Sequence, residues 1–297
     1  MSPSDLPTAW QGLVDDAAIF PPGNAALPDA VEAHRSRHHD WYAGLVGPFV
    51  VSDIRLPDLL DILDDRDEDE PLPVTVVVTG GAGSVRPAVK WSTGSGQLRL
   101  AGLETALRDL DDLAGNARRV VAAVDEAHGE GVLDEDCPVY LELPNLGSMT
   151  SWEAAADVAA ERELRLKFRT GGAHPDQFPT AHALASWIDA ALDRELPFKC
   201  TAGLHHAVRH TVSEGFEAPV DQHGFLNVLL ATRRLFDGTS LDEAAELLDE
   251  RDTGRLVELA GAEDLAGARR WFTSFGSCSV DEPLEDLIDL GLLEVPR

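Results

Sequence analysis

The chain has 297 residues, 44% hydrophobic and 26% charged, which is enough apolar material for a sizeable core in one large domain or two ordinary ones. Its formal net charge of −29 would repel nucleic acid and anionic lipid, and so excludes non-specific binding to either. No apolar run approaches the roughly 18 residues of a membrane span, and the opening "MSPSDLPTAWQG" lacks the basic and apolar pattern of a secretion leader.

Taken in chain order, the first strand-like run is "GLVDDAAIF" (12–20), which carries Asp15 and Asp16 ahead of a Pro-Pro turn. Both aspartates lie early in that run for residues of a strand-end site. Pro28-Asp29 opens the helical stretch "AVEAHRSRH". "GPFVVS" (47–52), the short helix "LPDLLDIL", "PVTVVVTG" (73–80) and "QLRLAGLE" (97–104) follow, with β-branched content and Gly or Pro boundaries typical of strands. A helical face of Leu113, Ala117, Val120, Val121 and Val124 comes next, then the strand "PVYLELP" (138–144). Ser151 is placed to cap "WEAAADVAAE" before "LRLKFRT" (164–170). A second helical face joins Leu184, Trp187, Ile188, Ala191 and Leu192, and "PFKCTAG" (197–203) is the seventh strand. A third face, of Phe225, Val228, Leu229, Thr232 and Phe236, precedes "FTSFGSCS" (272–279).

Linker composition is confined to 64–72, which includes the acidic "DDRDEDE", to 92–97, and to 213–222, a candidate lid. Eight strands alternating with helices predict a single α/β domain over 1–297, a (βα)8 barrel of the TIM type, with a doubly wound open sheet as the alternative. Cys137, Cys200 and Cys278 are widely spaced and form no CxxC pair, as expected for a cytoplasmic protein.

In a barrel, alternate residues of each strand face inward, and sites form at the C-terminal strand ends. Period two then turns Lys167 and Arg169 of the sixth strand inward, with Lys199 and Thr201 of the seventh, Tyr140 and Glu142 of the fifth and Glu104 of the fourth. Phe168, Phe198 and Cys200 are left to pack against helices. Of the 24 basic residues only Lys90, Lys167 and Lys199 are lysines, and two of them fall at these strand ends. A lysine can lose its proton and attack a carbonyl, which a guanidinium does not do. Two neighbouring ammoniums lower one another's pKa, which favours a free amine, and Glu142 and Glu104 stand ready for proton transfer or charge balance. The same four residues also fit a purely structural layer of buried ion pairs.

Arg169, Arg209, Thr201, His205, Glu104 and Ser277 are candidate substrate contacts. Together with the lysines they predict a basic mouth for a small carboxylate or phosphate ester. His206 is a candidate acid or base. Alternatively two or three of His205, His206, His210 and His223, with Glu142, Asp15 or Asp16 completing the set, hold a divalent metal. A lysine site needs no cofactor, and the histidine site needs that metal. Cys278 has no evident histidine partner in the sequence and ranks lowest as a nucleophile. A homo-oligomer is compatible with all of this.

"LKFRTGG", followed about thirty residues later by "FKCTAG", resembles deoxyribose-phosphate aldolase and its class I aldolase relatives. The resemblance implies a Schiff base on Lys167 tuned by Lys199, with Glu104 at the place of the family's fourth-strand aspartate. Phe168 and Arg169 interrupt the family's lysine-threonine order, and "AGLHH" replaces its seventh-strand glycine pair. The wider pattern of "AIFPP", "KFRTGG", "FKCTAGLHH", "HGFLN" and "FGSCS…EP" also resembles an uncharacterised family of bacterial and plant proteins, which implies no activity. Three functions follow as expectations: a lyase of the aldolase type on an anionic carbonyl compound, a metal-dependent hydrolase or isomerase, and a ligand-binding barrel without catalysis.

Overall fold

The computed structural model describes residues 6–64, 70–145, 149–213 and 215–296. Most of the acidic run at 64–70, and Glu214 within the 213–222 stretch, lie outside the described residues. Eight parallel strands close a barrel: β1 (Val14–Asp16), β2 (Val46–Ser52), β3 (Leu72–Val78), β4 (Leu98–Ala106), β5 (Val139–Leu143), β6 (Arg165–Arg169), β7 (Phe198–Thr201) and β10 (Phe272–Ser277). Around the barrel β1 pairs with β10 and β2, and the sequence-adjacent neighbours from β2 to β7 pair in turn. All eight strands fall within the runs read from the sequence or overlap them, and the open sheet is excluded.

The helices have local causes. In α1 (Leu27–Arg37) proline lies in the first turn, where its missing N–H costs nothing. Asp112 caps α4 (Leu113–Gly129) by accepting from Gly115 N, and Thr180 caps α6 (Ala181–Asp193) by accepting from Ala183 N. The remaining helices are α2 (Leu56–Asp64), α3 (Ala82–Thr93), α5 (Met149–Ala160), α7 (Phe225–Phe236), α8 (Leu241–Asp249), α9 (Thr253–Ala262), α10 (Leu265–Ala268) and α11 (Asp281–Asp289).

Burial follows the period-two expectation. Phe168, Phe198 and Cys200 are fully buried on the helix side. There Phe168 stacks on Phe198 at 4.7 Å and meets Trp152 of α5 and Trp187 of α6 at 6.0 Å each. Phe198 continues to Phe272 at 5.4 Å, and Phe275 stacks on Phe225 of α7 at 5.2 Å.

Several details differ from the sequence-based expectation. Strand β1 spans only Val14–Asp16, so the aspartates stand at its C-terminal end, where a barrel site belongs. Strand β4, Leu98–Ala106, is the longest of the barrel. Helix α5 begins at Met149, which puts Ser151 inside its first turn rather than at its cap. Phe236 is 48% exposed, with its ring resting against the buried Trp271 at the edge of the core. Between β7 and β10 the chain adds an antiparallel hairpin, β8 (His210–Val212) with β9 (Val220–Gln222), and then four helices, α7 to α10, where simple alternation needs one.

Candidate active site

Six charged side chains form one alternating chain across the barrel interior. Asp15 of β1 pairs with Lys199 Nζ of β7, and Lys199 Nζ also lies 2.5 Å from Glu104 Oε1 of β4. Glu104 Oε2 lies 2.6 Å from Lys167 Nζ of β6, which reaches Glu142 Oε2 of β5 at 2.9 Å. Glu142 Oε1 in turn accepts from Arg169 Nε at 2.8 Å. Each carboxylate except Asp15 serves two cations, so the six charges balance and the buried charges are compensated.

Strand register brings these groups level. Lys167 is the partner of Lys199 across β6 and β7, and of Glu142 across β5 and β6. Glu104 pairs with Tyr140 across β4 and β5 and reaches both lysines by its length. Lys199 Nζ also lies 5.3 Å from the centroid of the Tyr140 ring, and Ser274 Oγ of β10 donates to Asp15 Oδ2 at 2.9 Å. Asp15 fits because β2 has glycine at position 47, where a Cβ would lie 2.2 Å from Asp15 Oδ1. Sequence reasoning missed Ser274 and Gly47. Alternation along "FTSFGSCS" carries a signal for Ser274, whereas nothing in the sequence marks Gly47.

The electrostatics reverse one expectation. Two adjacent ammoniums were expected to lower each other's pKa, but Glu104 stands between them. Burial alone would lower both lysines. Asp15 and Glu104 overcome it at Lys199, Glu104 and Glu142 overcome it at Lys167, and both amines are held above the ordinary lysine range. Burial likewise opposes ionisation of Glu104, yet the two ammoniums bring its carboxyl down to about 2. Glu142 is also lowered, against burial, by Lys167 and Arg169.

Side-chain exposure rises along one end of this chain, from 3% at Lys167 to 11% at Glu142 and 35% at Arg169. Arg169 is therefore the solvent-facing terminus. Glu142 holds its Nε, and its two Nη groups have no hydrogen-bond partner among the described residues. Asn145 Nδ2 donates to the Arg169 carbonyl at 3.1 Å and to the Gln177 carbonyl at 3.0 Å, tying the loops after β5 and β6 together.

The "TGG" and "TAG" runs act as a strap beside this mouth. Thr170 N donates to the Thr201 carbonyl at 3.0 Å, and the Thr170 hydroxyl donates to the Ala202 carbonyl at 2.5 Å. A Cβ at Gly171 would lie 2.7 Å from Gly203 Cα, so the loops after β6 and β7 touch at backbone level. Ala202 sits at φ 61, a conformation that costs a residue with a side chain and here accompanies the turn out of β7. Thr201 is partly exposed at the same rim.

The other candidates are dispersed. Arg209 is buried, with His223 Nδ1 at 2.9 Å, Asp249 at 3.1 Å and Asp221 at 3.4 Å. It anchors the hairpin segment and does not contribute to a basic mouth. His223 Nε2 bonds the Pro179 carbonyl at 2.9 Å. His206 pairs with Asp286 of α11 at 3.2 Å, and its ring meets that of His210 at 4.7 Å. Ser277 is buried, and its Oγ accepts from Ser279 N at 3.2 Å, a turn contact.

The expected metal set is therefore not assembled. Glu142 is occupied by Lys167 and Arg169, while His206, His210 and His223 have separate partners. Among the described residues no group of three or more His, Cys, Asp and Glu side chains is placed to hold a metal ion. Asp16, at the end of β1, pairs with His34 at 3.0 Å and Arg37 at 3.1 Å of α1, on the helix side.

Cys278 does have a histidine neighbour. His205 Nδ1 lies 4.0 Å from its sulfur and 3.0 Å from Glu282. The carboxylate and the thiol meet the same nitrogen, which does not make a relay, and burial together with Glu282 pushes the thiol up.

What the arrangement can do is bring a substrate anion to Arg169 and present a lysine amine one carboxylate further in. No protein-family model and no curated protein sequence matches the chain.

Proposed function

We propose that the protein is a cytoplasmic (βα)8-barrel lyase of the class I aldolase type, acting on a small anionic carbonyl compound through an imine on Lys167. One observation carries this reading: two buried lysines on adjacent strands share Glu104, and the outer lysine is linked through Glu142 to an Arg169 whose Nη groups have no hydrogen-bond partner among the described residues. The resemblance of "LKFRTGG" and "FKCTAG" to class I aldolases supports the same assignment. In this scheme Arg169 takes the substrate's carboxylate or phosphate, Lys167 is the amine, Lys199 fixes Glu104, Glu104 balances the charge of the two lysines, and Glu142 carries the proton. No cofactor is required.

The test treats the protein with small aldehydes and keto acids, then with borohydride, and weighs the intact chain. Wild type is expected to gain the mass of one reduced adduct with a carbonyl it accepts. Lys167→Arg, verified as folded by circular dichroism, is expected to gain none. An adduct of equal yield on Lys167→Arg, or none on wild type with any carbonyl tried, contradicts the assignment.

A further inference from the structure

We infer that Glu142 couples occupancy of Arg169 by an oxyanion to the nucleophilicity of Lys167, so that the substrate's anionic group frees the amine that attacks its carbonyl. The inference rests on Lys167 being the imine-forming residue. Its origin is the sharing of one carboxylate. Glu142 Oε1 is held by Arg169 at 2.8 Å and Oε2 by Lys167 at 2.9 Å, so Glu142 lies between the two cations.

An anion on the Nη groups of Arg169, which have no hydrogen-bond partner among the described residues, is therefore nearer to Glu142 than to Lys167. It neutralises part of the guanidinium charge that keeps Glu142 ionised and adds its own repulsion. Both effects favour a proton on Glu142 more than they favour one on Lys167. The other charges facing Lys167 cannot make this adjustment. Glu104 from β4 is held by both lysines, Lys199 from β7 is fixed by Asp15 of β1, and this inner group is almost wholly buried. The response to an anion is thus channelled to the outer carboxylate.

The step balances. Lys167 in its ammonium form passes one proton to Glu142 Oε2. The free amine adds to the carbonyl carbon, forming a C–N bond. Its two remaining protons leave with the carbonyl oxygen as water when the C–O bond breaks. Glu142 returns its proton to the imine nitrogen, giving the iminium form and a regenerated carboxylate. The net reaction of ammonium and carbonyl to iminium and water needs no oxidant or reductant.

The test measures Lys167 directly, without turnover. The whole protein is labelled with trace acetic anhydride, which acetylates only free amines, and the three lysine-containing peptides are quantified by mass spectrometry. Inorganic phosphate and acetate are compared as separate arms with chloride at equal ionic strength and pH. At least one of the two is expected to speed Lys167 acetylation about tenfold, the effect of one pKa unit on the free-amine fraction. Lys90, exposed and outside the network, is the standard, and Lys199 is expected to stay protected. Arg169→Leu and Glu142→Gln should each abolish the response. If either variant fails to fold, the wild-type comparison decides alone. Lys167 acetylation that is unchanged or slowed by both anions overturns the inference. A borohydride adduct on Lys167 without an anion response removes the coupling and leaves the lyase assignment standing. An anion response without any adduct does the reverse.

Discussion

At the scale of single residues, the interior of the barrel is governed by Glu104. Removing one member of a buried ion-paired group leaves its partners uncompensated, which commonly costs about 3–5 kcal/mol. Lys199 holds both Asp15 and Glu104, so Lys199→Met is expected to destabilise the protein by about that amount in urea unfolding. Adding Asp15→Asn should recover part of the loss, because one orphaned charge disappears. A Lys199→Met protein as stable as wild type would show that the network adds no net stability. Period two along the fourth to seventh strands was enough to turn Glu104, Glu142, Lys167 and Lys199 toward the same interior. The sign of the lysine shifts was not legible, because it depends on Glu104 lying between the amines rather than beside them. Arg209 was misplaced for a related reason: its partners Asp221, His223 and Asp249 come from a hairpin and a helix that the alternation of strands did not announce.

At the scale of elements, the segment between β7 and α7 is the addition that most shapes the mouth. Hairpin β8–β9 is anchored by Arg209 and His223, and beyond β8 the ring of Phe216 meets Phe178 of the loop after β6 at 5.5 Å. Burial, reinforced by Arg209, lowers His223 from 6.5 to about 4. Below pH 6.5 the unfolded chain therefore binds a proton that the folded chain refuses. Stability is lost as pH falls from 6.5 toward 4, by up to about 1.4 kcal/mol per pH unit from this residue. Amide exchange is expected to quicken over residues 209–223 between pH 6.5 and pH 5 after correction for intrinsic rates, and His223→Gln should flatten that dependence. An exchange profile insensitive to pH there would remove His223 as the anchor. The eight barrel strands were legible because β-branched runs with Gly and Pro boundaries mark them locally. Hairpin β8–β9 was not, since its strands are three residues each and alternate too briefly to signal a face.

At the scale of the molecule, barrel closure sets all eight C-terminal strand ends around one rim. A chain of net charge −29 repels an anionic substrate over most of its surface. The interior network is balanced, so the attraction available to an anion at this site is concentrated at the solvent-facing guanidinium of Arg169. This gives the proposed lyase a single polarity, with the anion at Arg169 and the carbonyl directed inward toward Lys167. The composition makes that polarity easy to test, because the chain has only three lysines, in three separate elements. The most direct measurement is peptide mapping after borohydride reduction in the presence of an accepted carbonyl compound. The adduct is predicted on Lys167 alone. An adduct confined to Lys90 or Lys199, or spread over all three lysines, would contradict the account.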